Sequence, residues 1–477
     1  MKHIFLTTVL IGMAVAAAAQ EKQLLTLDEA LSITLEHNPS MQAAAHEERA
    51  AEQERRAAIG LRMPQITVAG AYAYMGKDIG FDFNDKKPYA AGLLNQIGGM
   101  LPPELLPYIG QLTAPLMGSD WALTLQDRSV GFVGGEVTLP IWMGGKINAA
   151  NRAAKINQRT AMAQGDQTRN ALISELVERY FGVALAKQVV AVRQQVVDGV
   201  RVHLNDAIAL EKNGMISRAD MLYVEFKMEE AERELSNAKL QLQTIEAALA
   251  NTLGTEAQGE PATAMFVLRN AEPLSYYREA AGKYNPLLNQ VALKRELAHE
   301  NVRVHRAEFL PQVVAMGGGS FYNYQVTDLL PRWAVGVGVS LKIFNGLNRE
   351  YKYSAAKQTE RRVATLEQKA GADIDVLVEK LYNQMLHYGN QLSSIDASLA
   401  FAEEYLKTQN AAFREGIGSS SDLIDAELNL AKVRAERLQA AYQYDVLLAQ
   451  LLEAAGLSCD FAAYARRDDA RPIVFQE

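Results

Sequence analysis

The segment REGIGSSSDLIDAE, residues 414–427, sets glycines and serines directly before a helical pattern. A helix N-terminus presents unbonded N–H groups, so such a stretch can cradle an anion. Three features argue against that chemistry here. Ser421 stands where the third glycine of G-x-G-x-x-G would fall, no lysine follows, and two carboxylates, Asp422 and Asp425, occupy the helix entrance. Spaced three apart, they share one helical face. As local structure, Asp422 or a preceding serine caps the helix and Asp425 supplies first-turn charge that suits the dipole. If several chains met on an axis, the same carboxylates would form a ring that attracts cations.

Other constellations fail on spacing. His299-Glu300 is followed by Arg303 instead of the second histidine of H-E-x-x-H, and His46-Glu47 fails in the same way. Ser217 and Ser419 have no histidine close in sequence. The sequence therefore offers no catalytic or metal-binding motif. Lys and Arg number 48 against 56 Asp and Glu, which speaks against nucleic acid as a partner. Cys459 is the single cysteine, so intrachain disulfides are excluded.

The elements that must position these residues are written twice. Residues 38–66 (NPSMQAAAHEERAAEQERRAAIGLRMPQI) align without a gap to 285–313 (NPLLNQVALKRELAHENVRVHRAEFLPQV), at an offset of 247. Farther along the offset is 202: Ile141 pairs with Ile343, Gly214 with Gly416, Asp220 with Asp422 and Gly254 with Gly456. The difference is extra sequence in the first copy between Gln65 and Ile141. Each copy reads as a helix, two strands and a very long helical stretch. Residues 65–75, 129–142, 312–326 and 333–344 alternate apolar with small or polar residues, as in RWAVGVGVSLKIF. Each is about the 9–11 residues that a tilted strand needs to cross a bilayer. Tyr72, Tyr74, Trp142, Tyr322, Tyr324 and Trp333 lie near strand ends, where aromatic girdles belong. The long stretches carry heptad seams, Ala231–Leu235–Ala238–Leu242–Ile245–Leu249 and Ile424–Leu428–Ala431–Ala435–Leu438–Tyr442. Residues 146–212 would extend roughly 100 Å if helical throughout, with a break expected at Gly165 or Gly182.

Four strands are too few to close a membrane barrel, and an open sheet in lipid leaves backbone groups unpaired. The chain must therefore oligomerise. At this point the sequence resembles the TolC family of outer-membrane efflux and secretion channels. The resemblance rests on LTLDEALSITLEHNP, the duplicated unit, the strand exits LPIWMGGKINAA and LKIFNGLNREYKYSAA, and the tip motifs KNGMISRADMLYVE and REGIGSSSDLIDAE. It implies an α+β membrane protein that acts as a homotrimer in outer-membrane lipid. A 12-stranded β-barrel is continued by a periplasmic α-helical coiled-coil tunnel. It also implies a periplasmic adaptor and an inner-membrane pump as partners, in tripartite efflux or type I secretion. Carried onto this chain, the adaptor-contacting tips are Gly214, Met215, Ile216 and Ser217, and Gly416, Ile417, Gly418 and Ser419. Asp422 and Asp425 match the acidic rings of the periplasmic gate. Asp220 is the first-copy equivalent, but Tyr223 replaces the second acid. Gly418 and Phe413 stand where some relatives carry a latching arginine and a tyrosine.

The resulting division is a signal peptide at 1–19, a first repeat at 20–254, an inter-repeat equatorial segment at 255–283, a second repeat at 284–456 and a C-terminal equatorial segment at 457–477. The hairpin of the first repeat, 65–142, holds an extracellular loop at 76–120 that is rich in proline yet apolar, with a short helix expected around Glu104–Leu112. The hairpin of the second repeat is 312–344. The alternative is a periplasmic coiled-coil scaffold or adaptor without a pore. Such a protein would not need two aromatic-ended hairpins of bilayer length.

Overall fold

The computed structural model describes residues 23–255, 259–327 and 331–474; the signal-peptide expectation lies outside them. The first repeat runs β1 (Gln23–Leu25), α1 (Leu27–His37), α2 (Pro39–Gly60) and β2 (Gln65–Tyr74). An insertion comes next, consisting of β3 (Ile79–Asp82), α3 (Lys87–Gly98), α4 (Leu106–Gly118) and β4 (Ala122–Gln126). Then come β5 (Ser129–Trp142), α5 (Lys146–Lys212) and α6 (Arg218–Leu253), with β6 (Gly259–Pro261) and β7 (Met265–Leu268) as a connection. The connection runs on through α7 (Leu274–Tyr284), and α8 (Pro286–Ala307), β8 (Gln312–Tyr324), β9 (Trp333–Ser340), α9 (Asn348–Arg414) and α10 (Ser420–Ala455) follow as the second repeat. The chain finishes with α11 (Phe461–Ala465) and β10 (Ala470–Ile473).

The duplication reaches the helix boundaries themselves. Helices α5 and α9 are both 67 residues long, α6 and α10 both 36, and α2 and α8 both 22. The breaks expected at Gly165 and Gly182 do not occur, because α5 is continuous through both. Helix propensity alone penalises these glycines by about 1 kcal/mol each. At Gly165 a Cβ would meet the end of the Glu48 side chain, which can swing aside, and at Gly182 it would make ordinary contact with Ile245 at 3.4 Å. Packing of α5 against its neighbours therefore outweighs the local penalty, without either position demanding glycine.

The chain divides into two compact units. One comprises Arg55–Ala153 and Glu300–Lys357; the other holds the remainder. In the first, an antiparallel sheet has the order β2-β5-β8-β9. Register sorts its residues by face, since directly paired residues point the same way. The pairs Ile66↔Val137 and Val68↔Gly135, and then Ala315↔Val337 and Val313↔Val339, lie on an apolar face. The opposite face holds Thr67↔Glu136, Gly318↔Ala334 and Met316↔Gly336. Trp142 pairs with Val313 at one end of the apolar face, and the Tyr72 and Tyr324 rings lie 6.5 Å apart toward the other. Central strand β5 contains Pro140, tolerated because β2 pairing stops at Thr138 and a register shift toward β8 falls between Pro140 and Trp142. The alternation read to Ile343 exceeds the strand, which stops at Ser340 opposite Gln312. The residue before Gln312 is Pro311, which has no N–H to extend the ladder. Arg349 instead donates to the carbonyls of Lys342 and Ile343, at 2.6 and 3.2 Å.

The insertion differs from the expected loop with one short helix. It holds a two-stranded ribbon, β3–β4, and two helices, with α4 beginning at Leu106 after a 3₁₀ turn and running on to Gly118. Two of its prolines start helices: Pro88 and Pro107 occupy the first turns of α3 and α4, where the absent N–H would have no helical partner anyway, whereas Pro115 lies inside α4.

The other unit is mainly helical. Both heptad seams are buried or half-buried, with Ala231, Leu235, Ala238 and Leu249 on α6 and Ile424, Ala431 and Leu438 on α10 fully so. Near the far ends of α6 and α10 lies an aromatic core. The Phe181 ring is 6.4 Å from Phe266 and 6.2 Å from Phe461, and Phe266 is 5.8 Å from Phe461. Small sheets frame it: β1 pairs with β6 in parallel, and β7 with β10 antiparallel. The buried Tyr180 hydroxyl donates to Leu25 O and accepts from Thr263 N–H, which ties the segments around β1 and β6 together. Asn38 and Asn285, equivalent by the offset of 247, donate from buried amides to Thr252 O and Ala454 O, each at 2.8 Å. The repeated Asn-Pro is thus a clamp on the ends of α6 and α10.

Candidate functional site

At their opposite ends the long helices turn tightly, and the two turns use one design. Gly214 and Gly416 have φ of +69° and +73°, a left-handed conformation that glycine adopts without strain. The N–H groups behind them reach back to the helix, Met215 to Leu210 O and Ile417 to Ala412 O, both at 2.9 Å. The next helix starts on a serine cap. Ser217 Oγ accepts from Asp220 N–H and donates to Asp220 Oδ2, while Ser217 N–H also donates to Asp220 Oδ2. In the second turn Ser419 Oγ accepts from Asp422 N–H at 3.1 Å and donates to Asp422 Oδ2 at 2.6 Å. Of the two capping assignments left open, the serine is the cap and Asp422 answers it.

The turns come together around a cleft of about 590 Å³. Met215, Ile216 and Asp220 line it from the first copy; Gly416, Gly418, Ser419, Phe413 and Arg414 line it from the second. Six sequence-selected residues therefore meet in one place. Gly214, Ser217 and Ile417 belong to the same turns but do not line the cleft, and neither Asp422 nor Asp425 does. Ile417 is 85% exposed and Met215 71%, so the turns present apolar tips outward. Both turns thus offer a surface as well as a cleft. Gly418 is closely confined: Phe413 N and Ala412 lie 3.1–3.3 Å from where its Cβ would be, so a side chain there would make the turn give by a few tenths of an ångström.

Three contacts near the turns went unread in the sequence. Tyr223 donates its hydroxyl to Asp425 Oδ1 at 3.1 Å, joining α6 to α10. The two residues are equivalent by the offset of 202, so the repeat pattern itself held this signal. Burial and the Asp425 carboxylate both push the Tyr223 phenol up, which keeps it a donor. Half a turn farther along α10, the Glu427 carboxylate lies 3.1 Å from His203 Nε2 on α5 and fills the notch left by Gly199. Phe413 packs edge-on against that imidazole, with ring centres 6.2 Å apart. His203 Nδ1 and the second Glu427 oxygen are buried without a hydrogen-bond partner among the described residues. No local motif marks this pair, because its members are 224 positions apart.

A sheet apolar on one face, with no partner for either edge among the described residues, together with paired helical hairpins and cleft-forming turns, is the architecture of an outer-membrane channel protein. The model of the family described as "Outer membrane efflux protein" matches residues 110–255 and 278–457, and the chain belongs to that family. It is 28% identical over 210 residues to the alkaline protease secretion protein AprF of Pseudomonas aeruginosa, covering 40% of this chain and 41% of that protein. It is 24% identical over 320 residues to the cobalt-zinc-cadmium resistance protein CzcC of Cupriavidus metallidurans, covering 64% of this chain and 72% of that protein. Its fold is similar to that of the Neisseria gonorrhoeae MtrE outer membrane channel, with a TM-score of 0.70 at 16% identity over 91% of this chain and 89% of MtrE.

Proposed function

We propose that this protein is the outer-membrane exit channel of a tripartite efflux or type I secretion system. Three copies each contribute four strands to a 12-stranded barrel, and their paired hairpins form a periplasmic tunnel. The observation that carries this reading is the β2-β5-β8-β9 sheet, whose outer edges have no partner among the described residues and whose apolar face is open to solvent. In lipid every backbone group must be paired, so the bare edges require neighbouring copies. Transport along such a conduit is passive, and energy comes from an inner-membrane pump reached through a periplasmic adaptor. The adaptor docks at the cleft formed by Met215, Ile216, Gly416, Gly418 and Ser419, with Gly214, Ser217 and Ile417 shaping the turns. Asp422 and Asp425 converge near the threefold axis as cation-attracting rings, and Asp220 contributes more weakly.

Heat-modifiable trimer bands in outer-membrane fractions and unit channels in planar bilayers are the expected results. Purely soluble periplasmic protein would favour the scaffold alternative. Replacing both Asp422 and Asp425 with alanine should relieve divalent-cation block of single channels; undiminished block would sink the gate assignment.

A further inference from the structure

The insertion between β3 and β4 carries a surface that the exit-channel reading leaves unused. From Pro88 to Ser119 the only charged residue is Glu104. Helices α3 and α4 touch each other, with Ile109, Thr113 and Met117 half-buried at four-residue spacing along one face of α4. Each helix nevertheless keeps a second apolar stripe in the open. On α3 it is Tyr89, Leu93 and Ile97; on α4 it is Tyr108, Leu112 and Leu116, with Leu112 82% exposed. A helix that is apolar around its circumference is normally buried, and solvent-facing patches of this kind mark interaction sites.

We propose that this hairpin is a self-association surface: the α3 stripe of one copy docks on the α4 stripe of the next, closing a six-helix ring outside the barrel. The inference rests on the trimer proposed above. Two observations favour another copy of this chain over other occupants. The insertion grows from the β2–β5 hairpin, and β2 is the edge strand at which the neighbouring copy has to pair, so the hairpin is rooted at the border of that interface. A threefold ring also needs two different patches per copy, one for each neighbour, and the hairpin supplies one on each helix. Recognition of anionic lipid headgroups would call for lysine or arginine, which residues 88–119 lack.

The test uses the full-length protein in outer membranes, with Cys459→Ser removing the native thiol and Leu93→Cys combined with Leu112→Cys. Oxidation with copper phenanthroline should convert most of the protein to covalent trimers on boiled, non-reducing gels. Each single-cysteine variant should give none. Trimer bands that persist on unboiled gels without covalent trimers would overturn the ring and leave the channel reading intact. Absence of trimers on unboiled gels would instead remove the premise. Cross-links to a different protein, or quenching of a Leu112→Cys fluorophore by spin-labelled lipid within intact trimers, would assign the surface to that partner or to the membrane and also overturn the ring. In an independent variant, Leu93→Glu with Leu112→Glu should lower the temperature at which trimers dissociate in detergent.

Discussion

Asp425 shows how one side chain holds two relationships that a linear reading separates. It stands in the first turns of α10 where an axial ring would form, yet it accepts a hydrogen bond from Tyr223 of the other copy of the repeat. Tyr223→Phe removes the donor and keeps the ring. It should cost little stability, about 1 kcal/mol for a solvent-exposed hydrogen bond, while freeing the carboxylate to turn. The expected outcome is a change in divalent-cation block without loss of trimers, read in the same bilayer recordings. Asp445 is the opposite case. It is fully buried on α10, accepts from Phe266 N–H at 3.1 Å, and has one oxygen with no partner among the described residues. Burial pushes its carboxyl well above the ordinary range. The folded state therefore holds this proton more tightly than the unfolded chain. Its contribution is complete below the unfolded pKa and is lost as pH rises toward the folded value. Asp445→Asn, neutral at every pH, should flatten that decline in chemical denaturation tracked from pH 4 upward; an unaltered pH profile would refute the assignment.

At the scale of elements, glycines that look alike in sequence do different work. Gly214 and Gly416 have positive φ and open space where a Cβ would go. Gly254 and Gly456 also have positive φ, but a Cβ would meet His37 O at 2.8 Å in one case and the Tyr284 backbone in the other. Alanine at the turn glycines should thus cost about 1–2 kcal/mol, the left-handed penalty alone. Alanine at Gly254 or Gly456 should cost more, because the Asn-Pro junction must move as well. Thermal unfolding of the four variants in detergent checks the ranking. Ser217→Ala and Ser419→Ala should each lose about 1 kcal/mol as helix caps. The repeat, the strands and the heptad seams were legible in the sequence because each is a periodic pattern. The continuity of α5 was not, since Gly165 and Gly182 read as helix breakers and only the packing of the whole helix against its neighbours overrides that preference. The extent of the insertion's helices was not legible either: Pro88 and Pro107 open α3 and α4, and only the helical run on their C-terminal side shows it.

For the whole molecule, the decisive feature is the pair of bare sheet edges. Trp333, Val335, Val337 and Val339 are 64–77% exposed in the single chain, an arrangement that water does not favour and lipid does. Val337→Arg should cost about 2–4 kcal/mol if the residue lies near the bilayer midplane. The outcome to look for is loss of outer-membrane trimers in fractionated cells. Gly336→Ser, on the opposite face, should leave them unchanged.

The sequence by itself determined the duplication, the strand faces, the turns and the acids beside them, because period, turn chemistry and repetition are local or self-similar properties. Only the tertiary structure decided which side chains meet across the repeats. It set Tyr223 on Asp425, Glu427 on His203 and the two turns around one cleft. Those contacts join residues separated by 202 and 224 positions; the repeat offset marks Tyr223 and Asp425 as equivalent, but that either pair touches comes from how the helices pack.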